Sequence, residues 1–533
     1  MKDFRLLPKA ILPLGLLAIT GNTYAQKQNY PNIVFILADD YGWNDLSCMG
    51  SDYYETPNID RIAKQGVLFT NAYAACSVSS PSRASILTGK STPRHGVTDW
   101  IGEYSGEQWR EMNRHSKLLP AEYSRNLPKK ETTLPEYLHQ YGYTTFIAGK
   151  WHLGDKGSWP EDHGFDINKG GWSAGYPGEG GYFSPYMNPK LPDGKPGENL
   201  SMRLANETVS FIHNQIEKNN RKPFFAYLSF YAVHGPIQTT ESRWNYFREK
   251  AEKAGIKESG FIMDRTLPVR QTQDNPVYAG LIQQMDDAVG VVLDELKKMG
   301  LDKNTMIIFT SDNGGVTTGD AFSTSLLPLR GGKGRQWEGG IREPLFIQYP
   351  GCPQPGSQCD VPVIGMDFYP TILDFAHIPL IPEQHKDGVS IMPLMEGKTI
   401  APRALYWHYP HYGNQGGEPS SIIRDGNWKL IFYHEDQHCE LYNLAIDITE
   451  SKPMNKIYPD KVTELKKKLD EWLVETGAKM PVPDPQYNPE EEEKVKEQWR
   501  TATWKQVEDM RRNMLKKNWK PNETWWGSQV TID

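Results

Sequence analysis

An α/β fold is predicted, with a large, mostly parallel mixed sheet sandwiched by helices and a small C-terminal α+β part built on an antiparallel sheet. Three observations carry that expectation. Continuous apolar runs such as Asn32-Ile33-Val34-Phe35-Ile36-Leu37-Ala38 have the pattern of strands buried on both faces. Such runs alternate with segments of helical periodicity, which is the order of a parallel sheet covered on both sides. From about Pro402 the texture changes to short alternating runs separated by turn residues.

At the N-terminus, Lys2, Arg5 and Lys9 precede an apolar run from Ala10 to Ile19 and a small-residue exit at Thr23-Tyr24-Ala25. This order predicts a secretory signal peptide over 1–25, cut after Ala25, and a periplasmic or secreted protein. The run is too short for a spanning helix, and no transmembrane segment is expected after cleavage. A catalytic part over 26–401 and a C-terminal subdomain with a helical tail over 402–533 follow. The net charge of −7 excludes global attraction to nucleic acid, so an anionic substrate must be held by local cations. Five cysteines make no disulfide scaffold, although Cys352 and Cys359 are close enough in sequence to close a small loop.

The strand 32–38 ends in Asp39-Asp40-Tyr41-Gly42, and the run 305–311 ends in Asp312-Asn313-Gly314-Gly315. Ligands of open α/β sheets sit beyond the carboxyl ends of strands. Two such ends, offering carboxylate and amide oxygens without thiol or imidazole, favour calcium over zinc. Between them, 58–66 and 134–141 read as helices, 143–148 and 224–230 as strands. Val277, Leu281, Met285, Val289, Val292 and Leu296 recur at helical spacing. The Gly-, Pro- and aromatic-rich stretch 154–199 is a long loop of the kind that shapes a site, with the aromatics open to either sugar contact or local packing. In the C-terminal part, Asp425-Gly426-Asn427 reads as a hairpin turn and 462–475 as an amphipathic helix. The mixed-sign tract 490–512 reads as a solvated surface helix.

Between the two acidic strand ends lies Ser79-Ser80-Pro81-Ser82-Arg83, read as a loop turning into a helix with Ser80 as its cap and Pro81 in its first turn. A free helix end is an anion site, and Arg83 can orient an oxyanion or a catalytic group there. The stretch resembles the signature of type I, formylglycine-dependent sulfatases, members of the alkaline-phosphatase superfamily and fold. In them the first residue of Cys/Ser-x-Pro-Ser-Arg is oxidised to an aldehyde. The resemblance makes Ser79 the modified residue (3-oxoalanine), since Cys76 lies three positions too early. A serine there implies the radical-type sulfatase-maturating enzyme as a partner.

Further motifs match one by one. The resemblance assigns Asp39, Asp40, Asp312 and Asn313 as Ca2+ ligands, with the oxygen of residue 79 beside them. Lys150 and His152 in Gly-Lys-Trp-His-Leu-Gly match a sulfate-neutralising lysine and the base of the release step. His234 in Val-His-Gly-Pro matches the general acid, and Lys333 in Gly-Gly-Lys-Gly-Arg a second sulfate-gripping lysine. Arg335, His163, His408 and His411 are candidate sugar or sulfate contacts. The resemblance implies an exported sulfatase acting, in exo fashion, on galactose or N-acetylgalactosamine sulfates of host or algal glycans. Two other readings stand beside it: a phosphodiesterase or phosphomonoesterase of the same superfamily using Ser79 directly, and a non-catalytic sulfated-glycan-binding protein.

Overall fold

The computed structural model describes residues 1, 30–112, 114–218, 222–519 and 530–531. The segment expected to direct export, 1–25, lies outside the described residues apart from Met1.

The strands of the main sheet are β1 (Asn32–Ala38), β2 (Val67–Tyr73), β3 (Thr144–Gly149), β4 (Ile167–Lys169), β5 (Phe224–Ser229), β6 (Thr305–Ser311), β7 (Arg342–Gln348), β8 (Ser357–Cys359) and β9 (Val363–Ile364). Among the described residues they form one nine-stranded sheet in the order β8-β2-β7-β6-β1-β5-β3-β4, with β9 also pairing β2. The half from β6 to β4 is parallel, while β7 runs antiparallel to both its neighbours. Register matters more than order here. Ala38 is level with Ser311, Leu37 with Ser229, and Ser229 with Gly149, so four strands end along one edge. Asp39, Asp312, Phe230 and Lys150 therefore begin four loops at the same height.

Helices α1 (Ile59–Gln65), α2 (Ser79–Thr88), α3 (Leu134–Gln140), α4 (Leu200–Glu217), α5 (Glu241–Ala254), α6 (Pro276–Lys298) and α7 (Phe368–Phe375) cover both faces. Side chains of β1 alternate between them, as the pleat requires. Val34 and Ile36 join Leu281, Met285, Val289 and Val292 of α6, whereas Ile33, Phe35 and Leu37 join Ile86 of α2, Leu138 of α3 and Ile372 of α7. Each such fully buried side chain contributes roughly 1.5–3 kcal/mol of transfer free energy. Local signals set the helix starts: Thr133 accepts from Glu136 N and Glu136 reaches back to Thr133 N, while Asn275 caps α6 ahead of Pro276.

The C-terminal part is a meander of β10 (Leu405–Tyr409), β11 (Ser420–Asp425), β12 (Trp428–Tyr433) and β13 (Cys439–Asn443), all antiparallel. The expected hairpin forms at Gly426-Asn427, with Gly426 at φ 59°, a conformation glycine adopts without strain. Helix α8 (Pro459–Thr476) lays Leu465, Leu469 and Trp472 on one face of this sheet. The other face packs on the catalytic part, where Leu405, Trp407, Ile422 and Ile431 share a core with Tyr73, Ala75, Trp337 and Ile364.

Two expectations, on Ser80 and on the charged tail, are corrected, and the state of two cysteines left open by the sequence is seen. Ser80 is not the cap of α2: Val78 takes that position in extended conformation, and Ser80 Oγ donates instead to the His152 carbonyl at 2.9 Å. Cys352 and Cys359 are both free thiols. Cys359 ends β8 and Cys352 follows β7, and these two strands flank β2 on opposite sides. The charged tail is helical as α9 (Pro489–Gln498) and α10 (Trp504–Met514), joined by a π-helical turn over Trp499–Thr503, but α10 is not a solvated face. It buries Val507, Arg511 and Met514, with Arg511 Nε and one terminal nitrogen bonded to Asp274 at 2.8 and 2.6 Å. That ion pair spans 237 positions, so sequence patterning could not reveal it. No described helix is long and apolar enough to cross a membrane.

Candidate active site

The shared edge of β1, β3, β5 and β6 meets the first turn of α2. Asp39 and Asp40 leave β1, Lys150 leaves β3, Asp312 and Asn313 leave β6, and Ser79 opens the helix. Asp40 has φ 59°, the left-handed region that a non-glycine residue enters at a cost. Its N–H donates to Asp312 Oδ1 at 3.1 Å, and Tyr41 N donates to Ser311 Oγ at 2.9 Å, which holds the turn in place.

Ser79 is 3% exposed, and its Oγ donates toward Asp39 Oδ1 and Asn313 Oδ1, each at 3.2 Å. Lys150 Nζ donates to the same Oγ at 3.2 Å and to both oxygens of Asp39 at 2.8 and 2.7 Å. Arg83, one turn into α2, ties the helix to the strand ends. Its Nε donates to Asp312 Oδ2 at 2.7 Å and one terminal nitrogen to Ser229 Oγ at 2.7 Å. On the opposite side Lys333 Nζ donates to Asp40 Oδ2 at 2.8 Å and lies 3.1 Å from His234 Nε2.

Three carboxylates are thus buried against three cations. Burial pushes the Asp39 carboxyl up to about 8 against the pull of Lys150, and the same burial lowers the Lys150 ammonium. Asp40 and Asp312 are buried as deeply, yet Lys333 and His234 hold the first below its usual range, and Arg83 and Lys150 the second.

The two histidines are poised differently. His152, at φ 55°, directs Nε2 to the Ile101 carbonyl at 3.0 Å, so that nitrogen carries the proton and Nδ1, buried without a partner, presents its lone pair. Burial, with Lys150 next, keeps the ring well below its normal pKa. His234 Nδ1 lies 2.8 Å from the Gly235 carbonyl, which turns Nε2 toward Lys333 and Asp40. Burial and Lys333 lower it to about 4.

All of Ser79, Arg83, Lys150, His152, His234, Lys333, Asp39, Asp40, Asp312 and Asn313 are brought together. Arg335 is not among them: it pairs with Asp264 at 3.4 Å. His163, His408 and His411 are buried on partners of their own, Ser158, Ser421 with the Lys479 carbonyl, and Thr98. Sequence reasoning missed Ser229, which anchors Arg83, and Asp320, 3.7 Å from Lys333. Ser229 ends a strand at the shared edge and was findable by the same rule as Asp39; Asp320 carries no local signal. Tyr182, from the long aromatic loop, donates to the Tyr231 and His234 carbonyls at 2.7 Å each, so this ring packs under the His234 loop.

The donor set suits a hard dication. Carboxylate oxygens of Asp39, Asp40 and Asp312 lie within 4.8 Å of one another, with the Asn313 and Ser79 oxygens adjoining and no nitrogen or sulfur ligand in the group. Such a site can neutralise an anionic ester, hold an oxygen nucleophile and supply both a proton donor and an acceptor.

The chain is similar to known proteins over most of its length. Residues 31–378 match the sulfatase family model, and 333–479 match that of the N-sulphoglucosamine sulphohydrolase C-terminal region. A sulfatase of Formosa agariphila is 30% identical over 557 residues, covering 90% of this chain and 95% of its own. The N-acetylgalactosamine-6-sulfatase of Rattus norvegicus is 31% identical over 422 residues, covering 74% of this chain and 72% of its own. Among solved structures, Ps i-CgsB in complex with a neocarrahexaose superposes with a TM-score of 0.67 at 26% identity, over 90% of this chain and 99% of the other. With its acidic strand ends, its Ser-Ser-Pro-Ser-Arg turn and these relatives, the chain belongs to the sulfatase family and is a sulfuric ester hydrolase.

Proposed function

We propose that this enzyme removes sulfate from carbohydrate monoesters, acting in exo fashion on galactose or N-acetylgalactosamine sulfates of host or algal glycans, with Ser79 oxidised to formylglycine by a radical-type maturase. Asp39, Asp40, Asp312 and Asn313 would hold a calcium ion beside residue 79. The observation that carries this reading is the position of Ser79 Oγ, 3.2 Å from Asp39, Asn313 and Lys150 at the edge where four strands end. Relatives named as N-acetylgalactosamine-6-sulfatases and a neighbour solved in complex with a neocarrahexaose support the substrate class. The segment 1–25 supports export.

The hydrated aldehyde would supply an oxygen nucleophile for sulfur and a second hydroxyl whose deprotonation breaks the carbon–oxygen bond to sulfate and restores the aldehyde, and the dication would supply positive charge that lowers the pKa of the nucleophile. The protein's own residues do the rest. Lys150 and Lys333 flank the pocket from opposite sides and neutralise the sulfate group. Arg83 keeps residue 79 registered against the strand ends. His234 Nε2 delivers a proton to the ester oxygen; an arriving anion beside Lys333 raises its lowered pKa and so charges the ring for that task. His152, whose Nδ1 is free to accept, takes the proton released when sulfate departs.

Mass spectrometry of the peptide holding residue 79, from protein made in its native host, is the direct test. A peptide lighter by two hydrogens is expected. Fully active enzyme with unmodified serine would overturn the reading. An assay pairing sulfated and phosphorylated forms of one sugar should release sulfate far faster, and chelation should remove activity that calcium restores.

A further inference from the structure

Beside the sulfate pocket lies a cavity of about 410 Å³, within the range of roughly 300–1,000 Å³ typical of small-ligand sites. It is tied to the strand-end site through neighbours in the chain and one hydrogen bond. Lys333 faces Asp40 and His234, while Arg335, two residues on, lines the cavity. Asp320 lies 3.7 Å from Lys333 and accepts from Gln415 at 2.7 Å, and Gln415 sits within the loop 412–418 that forms the cavity wall. The same loop is pressed onto Gly334: a Cβ on Gly417 would stand 1.8 Å from the Gly334 carbonyl oxygen.

The lining combines rings with charge. Trp109 stacks on Tyr412 at 5.8 Å, and Trp499 enters from the π-helical turn of the tail, a turn type often found at functional sites. The acids are each engaged: Glu418 with Arg265, Glu435 with Lys117 at 2.9 Å, and Glu492 with Lys496 at 2.9 Å. Arg335 is not. Its guanidinium is 1% exposed, yet Nε and one terminal nitrogen have no hydrogen-bond partner, and Asp264 stands at 3.4 Å from the other. A buried cation with idle donors is costly unless an acceptor arrives, and an anion satisfies it best. The wall carrying Glu492, Lys496 and Trp499 lies beyond residue 479, where the family match ends.

We propose that this cavity receives the sugar next to the sulfated residue of the glycan, and that Arg335 binds an anionic substituent on it, with Trp499 and Tyr412 bounding the ring. The proposal rests on the sulfatase reading of Ser79 and deepens it: the preferred substrate is an acidic oligosaccharide, not a single sugar sulfate. The anionic substituent can be a uronate or a second sulfate ester.

The test compares kcat/KM for a sulfated monosaccharide with that for disaccharides whose second sugar is neutral, a uronic acid or sulfated. Wild-type enzyme should favour at least one acidic disaccharide over both the monosaccharide and the neutral disaccharide by about 10-fold or more, the scale of one charge-assisted hydrogen bond. Which acidic arm gains identifies the substituent. Arg335→Ala and, separately, Trp499→Ala should bring that ratio toward one, and Arg335→Lys should restore part of it. Equal ratios in wild type and variants, or no preference in wild type, would overturn the proposal while leaving the sulfatase reading intact. Release of sulfate from none of the substrates by matured enzyme would instead overturn the reading beneath it.

Discussion

Two clusters of buried charge can be set side by side. At the strand ends, Asp39, Asp40 and Asp312 face Arg83, Lys150 and Lys333. At the junction with the C-terminal meander, Glu338 and Glu450 face Lys429, with Arg342 and Arg424 beside them. Burial is equal, for Lys429, Glu338 and Glu450 are 0% exposed in their side chains. The difference is what else is present. The junction cluster is closed by a tyrosine, Tyr73 donating to Glu338 at 2.6 Å, and by Glu338 N donating to Glu450 at 2.6 Å. The strand-end cluster instead borders a serine hydroxyl and a histidine nitrogen with no hydrogen-bond partner. Buried charge alone therefore does not mark a catalytic centre, and neither does positive φ, which Glu450 shares with Asp40 and His152; charge left available to a ligand does.

Substitutions should separate the two. The largest effect is expected for Ser79→Ala, which should lower sulfatase activity by about 10⁴-fold or more while shifting the melting temperature by only about 3 °C or less. Parallel assay and calorimetry check this, and a large loss of stability would mean that Ser79 holds the fold together. Lys429→Met reverses the pattern. It strands two buried carboxylates and should cost about 3–5 kcal/mol in urea unfolding, with activity per folded molecule retained. Should Lys429→Met prove as stable as wild type, the junction cluster contributes little to the fold.

His234→Ala sharpens the comparison inside the catalytic cluster. Turnover of carbohydrate sulfates should fall about 10²-fold, and that of an activated aryl sulfate by less than about 10-fold, because only the poor leaving group needs the proton. Equal losses on both substrates would remove its role as acid. The smallest effect concerns Asp286, a buried carboxylate that accepts from the Asn58 and Ile59 amides. Burial pushes it from 3.8 up to about 6. A raised acid stabilises the folded state fully below its unfolded pKa, and that contribution is lost as pH rises through the folded value. Wild-type stability relative to Asp286→Asn should thus decline by on the order of 2 kcal/mol between pH 4 and pH 7, read from urea midpoints. A flat difference would show that Asp286 titrates normally.

Much of this was legible because the signals are local. β1 and β6 announce themselves as unbroken apolar runs, and position after such a run singled out Asp39, Asp40, Asp312 and Asn313. Lys150, His152, His234 and Lys333 were legible by resemblance of short motifs. What stayed hidden depends on distance along the chain. Arg83 meets Asp312 across 229 positions, and Arg511 meets Asp274 across 237, pairings that no window of sequence contains. Ser80 misled because serine favours caps in general, whereas here the strand-like Val78 fills that place and the hydroxyl is spent on His152. The tail misled similarly, its mixed charges concealing an apolar stripe of Val507 and Met514.

The shared core of Tyr73, Ala75, Trp337, Leu405, Trp407 and Ile431 has a consequence for how the molecule fails. The Trp407 indole donates to the Ala74 carbonyl at 2.7 Å, five residues ahead of Ser79. A protease that clipped the chain after Ala401 would strip a greasy surface bare and loosen the approach to residue 79 in one stroke. Such a fragment should be sticky and inert together, prone to clumping instead of surviving as a trimmed enzyme.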